Sequence, residues 1–136
     1  MKTIIGDITM QINNELAPLI NVLNKLREEG KILAAILFGS YANGTPHVRS
    51  DIDLAVYINT DDEGERTEII DEILMSVERD VNILRLEDEE ESPFIVQEAL
   101  KGLHLVEPDT DSLYNVSHRV LHETEGIRFR RSLVGR

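Results

Sequence analysis

The sequence predicts an α/β domain, a small mixed β-sheet flanked by α-helices, and three observations carry that expectation. An uninterrupted apolar run over 32–38, and a stretch over 51–58 that repeats its character around Asp51 and Asp53, have the length and character of buried strands. Segments with apolar residues at helical spacing lie on either side of them, over 8–26 and 66–77. The chain of 136 residues suits one domain with enough material for a real core.

Taken in order, Ile8, Ile12, Leu16, Leu19, Ile20, Val22, Leu23 and Leu26 recur near helical spacing and predict a first amphipathic helix. Pro18 falls inside this pattern. Proline lacks an amide hydrogen and crowds the preceding turn, so a kink or two shorter helices in series are expected. Gly30 ends the segment, Lys31 to Phe38 forms the first strand, and Asp51 to Ile58 the second. Asn59 to Gly64 reads as a loop, and Arg66 to Val77 as a helix whose apolar stripe is Ile69, Ile70, Ile73, Leu74 and Val77. Asp80 to Leu86 is a third strand, with an aspartate at its start. The run Glu87 to Glu91 reads as a solvated acidic loop. Ser92 as N-cap and Pro93 at the first helical position open a helix over Phe94 to Lys101, which Gly102 stops. His104 to Val106 is a short edge strand. After Pro108, Thr110 or Asp111 caps a last helix carrying Leu113, Val116, Val120, Leu121 and Ile127. From Arg128 the chain turns basic, with Arg128, Arg130, Arg131 and Arg136 against no acid. The expected division is a domain over 1–108 and a helical, basic tail over 109–136.

Composition excludes several function classes. A formal net charge of -12 argues against broad nucleic-acid binding by phosphate neutralisation, and it means that an anionic substrate needs help from metal ions. The sequence has no cysteine, so disulfides and thiolate metal sites are absent. No apolar run approaches the ~18 residues of a membrane span, and the N-terminus lacks the basic-then-apolar pattern of a signal peptide. A cytoplasmic protein with no membrane contact is expected. His118 and His122 share a helix face without an obvious third ligand, so they read as exposed histidines rather than a zinc pair.

The chemistry concentrates in 39–53. Successive strand side chains point to opposite faces, so Asp51 and Asp53 share one face while Ile52 and Leu54 enter the core on the other. Two anions side by side ask for a cation, and Asp80 adds a third if its strand is a neighbour. Magnesium takes hard oxygen ligands, commonly one or two carboxylates with substrate phosphate oxygens and waters. Two such ions about 3.5–4 Å apart serve in-line displacement at phosphorus, which makes phosphoryl or nucleotidyl transfer the natural reaction class. The Gly39-Ser40 turn is the complementary half: glycine lets backbone approach a phosphate closely, turn amides form an anion-binding concavity, and Ser40 adds a hydroxyl donor. Neither the Walker pattern nor the dinucleotide fingerprint is present.

Gly39-Ser40, followed by Ala42, Gly44 and then Ser50-Asp51-Ile52-Asp53-Leu54, resembles the signature of the DNA polymerase beta-like nucleotidyltransferases, and most closely their smallest branch, the minimal nucleotidyltransferase (MNT) family. Asp80-Val81-Asn82-Ile83 resembles that family's third-aspartate strand, and the resemblance covers roughly residues 30 to 106. It implies the polymerase beta-like nucleotidyltransferase fold over 1–108. It further implies that Asp51, Asp53 and Asp80 are catalytic and hold two Mg2+ ions, with Asp80 acting on the attacking hydroxyl, while Gly39 and Ser40 bind the triphosphate of ATP. Members commonly pair with a HEPN-domain ribonuclease toxin, which they neutralise as antitoxins, some by transferring AMP to a toxin tyrosine. The resemblance therefore implies a protein adenylyltransferase with a HEPN toxin as partner and no direct nucleic-acid substrate. Apolar positions on the first or last helix fit a homo- or hetero-oligomer interface, and a monomer fits the sequence too. Asn43 stands where the family usually carries arginine or lysine, with His47 and Arg49 in the same loop. Two other classes fit the same residues: an inactive antitoxin that neutralises its partner by contact, and an adenylyltransferase acting on a small molecule of the aminoglycoside type.

Overall fold

Helix α1 (Asp7–Glu28) turns Leu16, Leu19, Leu23 and Leu26 onto one face, where all four are buried, each contributing about 1.5–3 kcal/mol of burial. The computed structural model describes residues 7–39 and 51–134, and side chains over 16–39 and 51–126. The helix runs through Pro18 as one element, so the expectation of two helices in series is not met; Leu16 and Leu19, buried on either side of the proline, hold both halves against the same core. Gly30 ends it at φ 75°, with Gly30 N–H donating to Arg27 and Lys31 N–H donating to Leu26, the paired bonds of a Schellman stop.

The remaining elements are β1 (Ile32–Phe38), β2 (Ile52–Ile58), α2 (Glu63–Leu74), β3 (Val81–Arg85), α3 (Pro93–Ala99), β4 (Leu103–His104) and α4 (Thr110–Val134). The strands form one sheet in the order β3-β2-β1-β4. β2 runs parallel to β3 and antiparallel to β1, and β4 pairs antiparallel with β1, so the sheet is mixed as expected. The crossover from β2 to β3 is made by α2, which begins at Glu63 because Asp62 caps it, its carboxylate accepting Glu65 N–H at 2.8 Å. Glu63 and Gly64, read from sequence as loop, are therefore helical. Ser92 is the N-cap residue of α3 with Pro93 next to it, although the serine hydroxyl makes no capping bond. The cap of α4 is Asp109 rather than Thr110 or Asp111: its carboxylate accepts both the N–H and the hydroxyl of Ser112, which hold it below its ordinary pKa.

The sheet separates two apolar layers. Ile52, Leu54, Val56 and Ile58 point toward α1 and α2, joined by Ala35, Leu37, Ile69 and Ile73. Ala34, Ile36, Ala55 and Leu84 point toward α3 and α4, joined by Val96, Ala99, Val116 and Val120. Among the described residues no helix is long and apolar enough to cross a membrane.

One acid departs from its expected solvated role. Glu87 accepts the N–H of Ile58 at 3.0 Å and Arg85 Nε at 2.8 Å, and lies 3.9 Å from Arg66 Nε, with its side chain 14% exposed. It fastens the far ends of β2 and β3 together. Glu87→Ala leaves a largely buried N–H and two guanidinium groups without this acceptor. We expect it to lower stability by about 1–3 kcal/mol, read as a lower urea midpoint, whereas exposed Glu89→Ala should stay within error of the parent.

Candidate active site

The site lies where three neighbouring strands meet loops at the same end of the sheet: β1 leaves it at Phe38, while β2 and β3 enter it at Ile52 and Val81. Phe38 is opposite Asp53, and Asp53 is opposite Asn82, so these three positions form a row across the sheet on the α3–α4 face. Period-two alternation puts Asp51 and Asp80 on that same face one step toward the loops, and Ile52 N–H donates to the Asp80 carbonyl at 2.9 Å, tying their backbones. Ile52 and Leu54 are fully buried on the opposite face, whereas Asp51 is exposed and Asp53 half-buried. The expected division of the Asp-Ile-Asp-Leu run between site and core is present.

Gly39 follows Phe38 at φ 75°, a backbone conformation that other L residues rarely adopt. A Cβ added there would overlap Asp53 Oδ2. The glycine thus lets the Asp53 carboxylate lie directly against the turn, joining the two halves of the motif. The other oxygen, Oδ1, is 3.3 Å from Asn82 Nδ2, and the same nitrogen is 3.3 Å from Asp51 Oδ2. Two acceptor-only carboxylates therefore converge on one amide that has a hydrogen for each.

Asp80 is exposed and lines an open hollow of about 460 Å³ with Asp51, Leu74, Val77, Glu78, Arg79, Val81 and Asn82. It stands beside Asp51 without closing onto the Asp51–Asp53 pair, and among the described residues no group of three or more His, Cys, Asp or Glu side chains is gathered to hold a metal ion. Sequence reasoning missed Asn82, the residue that touches both carboxylates. The available signal was its place two residues after Asp80, on the same strand face. Ser40, Ala42, Asn43, Gly44, His47, Arg49 and Ser50 lie outside the described residues. His118 and His122 are exposed on α4, the His118 ring tilted against Tyr114 and meeting His122 edge to face.

Residues 20–111 match the family described as Polymerase beta, Nucleotidyltransferase. The chain belongs to this nucleotidyltransferase family. Similar folds occur in a crystal structure of a toxin-antitoxin with AMP-PNP, which is 25% identical over 85% of this chain and 94% of that one at a TM-score of 0.63. A mutant of the toxin-antitoxin MntA-HpeT is 26% identical, covering 84% of this chain and 91% of that one at a TM-score of 0.61. The toxin-antitoxin MntA-HepT shares the fold at 20% identity and a TM-score of 0.58, covering 87% and 93% of the two chains. No curated protein matches. These likenesses agree with the minimal nucleotidyltransferase resemblance of the stretch around Gly39 and Asp51.

For this nucleotidyltransferase chain, the donor set fits a hard divalent cation. Asp51 and Asp53 offer carboxylate oxygens to one shared corner, already filled by the positive end of an amide dipole, with the Asp80 carboxylate adjacent.

Proposed function

We propose that this chain is a magnesium-dependent protein adenylyltransferase that moves AMP from ATP to a hydroxyl, a tyrosine for preference, of a partner HEPN toxin, and thereby acts as an antitoxin. The observation that carries the reading is the convergence of Asp51 and Asp53 beside the Gly39 turn. Membership of the nucleotidyltransferase family and likeness to toxin-antitoxin structures support it.

In the transfer, the hydroxyl oxygen forms a bond to the α-phosphorus of ATP while the bond from that phosphorus to the bridging oxygen breaks, releasing pyrophosphate. Magnesium, two ions in this reading, supplies charge neutralisation and a means of polarising the phosphate. Asp51 and Asp53 would hold it. Asp80, which lines the hollow with Asp51, would take the hydroxyl proton at a carboxylate oxygen as the new bond forms. Gly39, with Ser40 after it, would let the triphosphate approach the backbone. In this reading the partner supplies the acceptor hydroxyl and much of the specificity.

Incubation with ATP labelled at the α-phosphate, magnesium and the product of the neighbouring gene, a HEPN protein in this reading, should label that partner. Loss of the label when the partner's tyrosines are replaced by phenylalanine would identify the acceptor. Neutralisation of the partner without any labelling would establish the contact-only antitoxin instead, and labelling of an aminoglycoside without a protein acceptor would establish the small-molecule enzyme.

A further inference from the structure

We propose that Asn82 is a positioning residue of the carboxylate pair: its amide nitrogen holds Asp51 and Asp53 together, and a half turn of the same amide offers its carbonyl oxygen to a divalent cation that they share. The inference rests on the nucleotidyltransferase reading above and concerns how that site binds its metal.

The argument starts from charge. Asp51, Asp53 and Asp80 bring three carboxylates to one end of two paired strands, and carboxylates held close repel unless something positive stands between them. Among the described side chains, the group at 3.3 Å from both Asp51 Oδ2 and Asp53 Oδ1 is the Asn82 amide nitrogen. It carries two hydrogens, so each carboxylate receives one, and the amide occupies the corner from which a shared cation would reach both. Position 82 is fixed there by backbone: β3 pairs parallel with β2, and Asn82 is the register partner of Asp53.

The same side chain is equipped to give way. A half turn about its last bond exchanges Nδ2 and Oδ1 with little change of shape, and the residue is exposed. An amide carbonyl is an oxygen ligand of the kind that hard divalent cations accept. One side chain thereby serves both as the donor that joins the carboxylates and as a neutral oxygen ligand. Neutrality has a consequence: affinity at carboxylate sites follows ligand charge, so asparagine here sets weaker and more exchangeable cation binding than aspartate would.

Binding of Mn2+, measured from the free-ion electron paramagnetic resonance signal with and without ATP, tests this without reference to transfer. Asn82→Asp should tighten Mn2+ binding about tenfold or more and lower the melting temperature measured without metal, because a fourth carboxylate joins Asp51, Asp53 and Asp80. Asn82→Ala, which removes clamp and ligand together, should weaken Mn2+ binding about tenfold, the effect expected for loss of a residue that orients metal ligands. If both variants bind Mn2+ within twofold of the parent, the positioning role is wrong and the carboxylate pair needs no help. Failure of the parent to bind Mn2+ with or without ATP would overturn the cation reading of the site itself, a distinguishable outcome. Should Asn82→Asp fold only when Mn2+ is added, that dependence is itself the expected repulsion, and the alanine variant still measures affinity.

Discussion

The Asp51→Ala/Asp53→Ala variant should lose transfer by at least about a thousandfold while remaining folded. The magnitude follows from losing several kcal/mol of transition-state charge stabilisation, at about 1.4 kcal/mol for each factor of ten. The fold should tolerate the change because Asp51 is exposed, Asp53 is half-buried, and the core positions between and after them, Ile52 and Leu54, are untouched. Removing two neighbouring like charges also relieves repulsion in the metal-free protein. The decisive measurement is the melting temperature with ATP, with and without magnesium. In the parent, ligand at a hundred times its dissociation constant adds about 2.7 kcal/mol of stability, and in the variant the magnesium-dependent part should vanish. An undiminished shift would place the nucleotide away from β2.

Gly39→Ala should be nearly as damaging, for reasons separable by a control. A residue with a Cβ at φ 75° costs about 1–2 kcal/mol. The new Cβ also overlaps Asp53 Oδ2, so the carboxylate must swing away, which breaks its approach to Asn82. Misplacement of a catalytic group by about 1 Å costs on the order of a hundredfold in rate. Gly30 has the same positive φ, yet a Cβ there meets nothing within 4 Å. Gly30→Ala should therefore lose similar stability and keep its transfer rate. Equal transfer by the two variants would show that the contact between the turn and Asp53 carries no function.

Much of this arrangement can be read from sequence because it is local. β1 and β2 declare themselves as apolar runs, and Asp51, Ile52, Asp53 and Leu54 are divided between site and core by strand alternation alone. Asn82 is different. Its role depends on β3 lying parallel to β2 in one register, a pairing made across the whole α2 crossover, and no nearby residue encodes it. A reading of isolated residues goes to the charge at Asp80, whereas topology puts the amide against both carboxylates. Glu87 illustrates the same limit: in an acidic run it reads as solvated, but the chain brings it to the N–H of Ile58. The Asp109 cap was one residue away from the expected positions, since Ser112 provides both donors that select it. Ser40 and Asn43, on which the phosphate half of the motif turns, lie outside the described residues.

The parallel pairing of β2 and β3 also has a bearing on folding kinetics. The antiparallel partners β1 and β2 can associate before α2 is in place, but Asn82 reaches Asp51 and Asp53 only after the crossover has closed, the slow kind of step in which distant segments must meet. The carboxylates acquire their third companion when the sheet is finished. A cation that favours the assembled corner therefore stabilises the finished chain over its partly paired precursors, and magnesium should slow unfolding by holding β3 against β2.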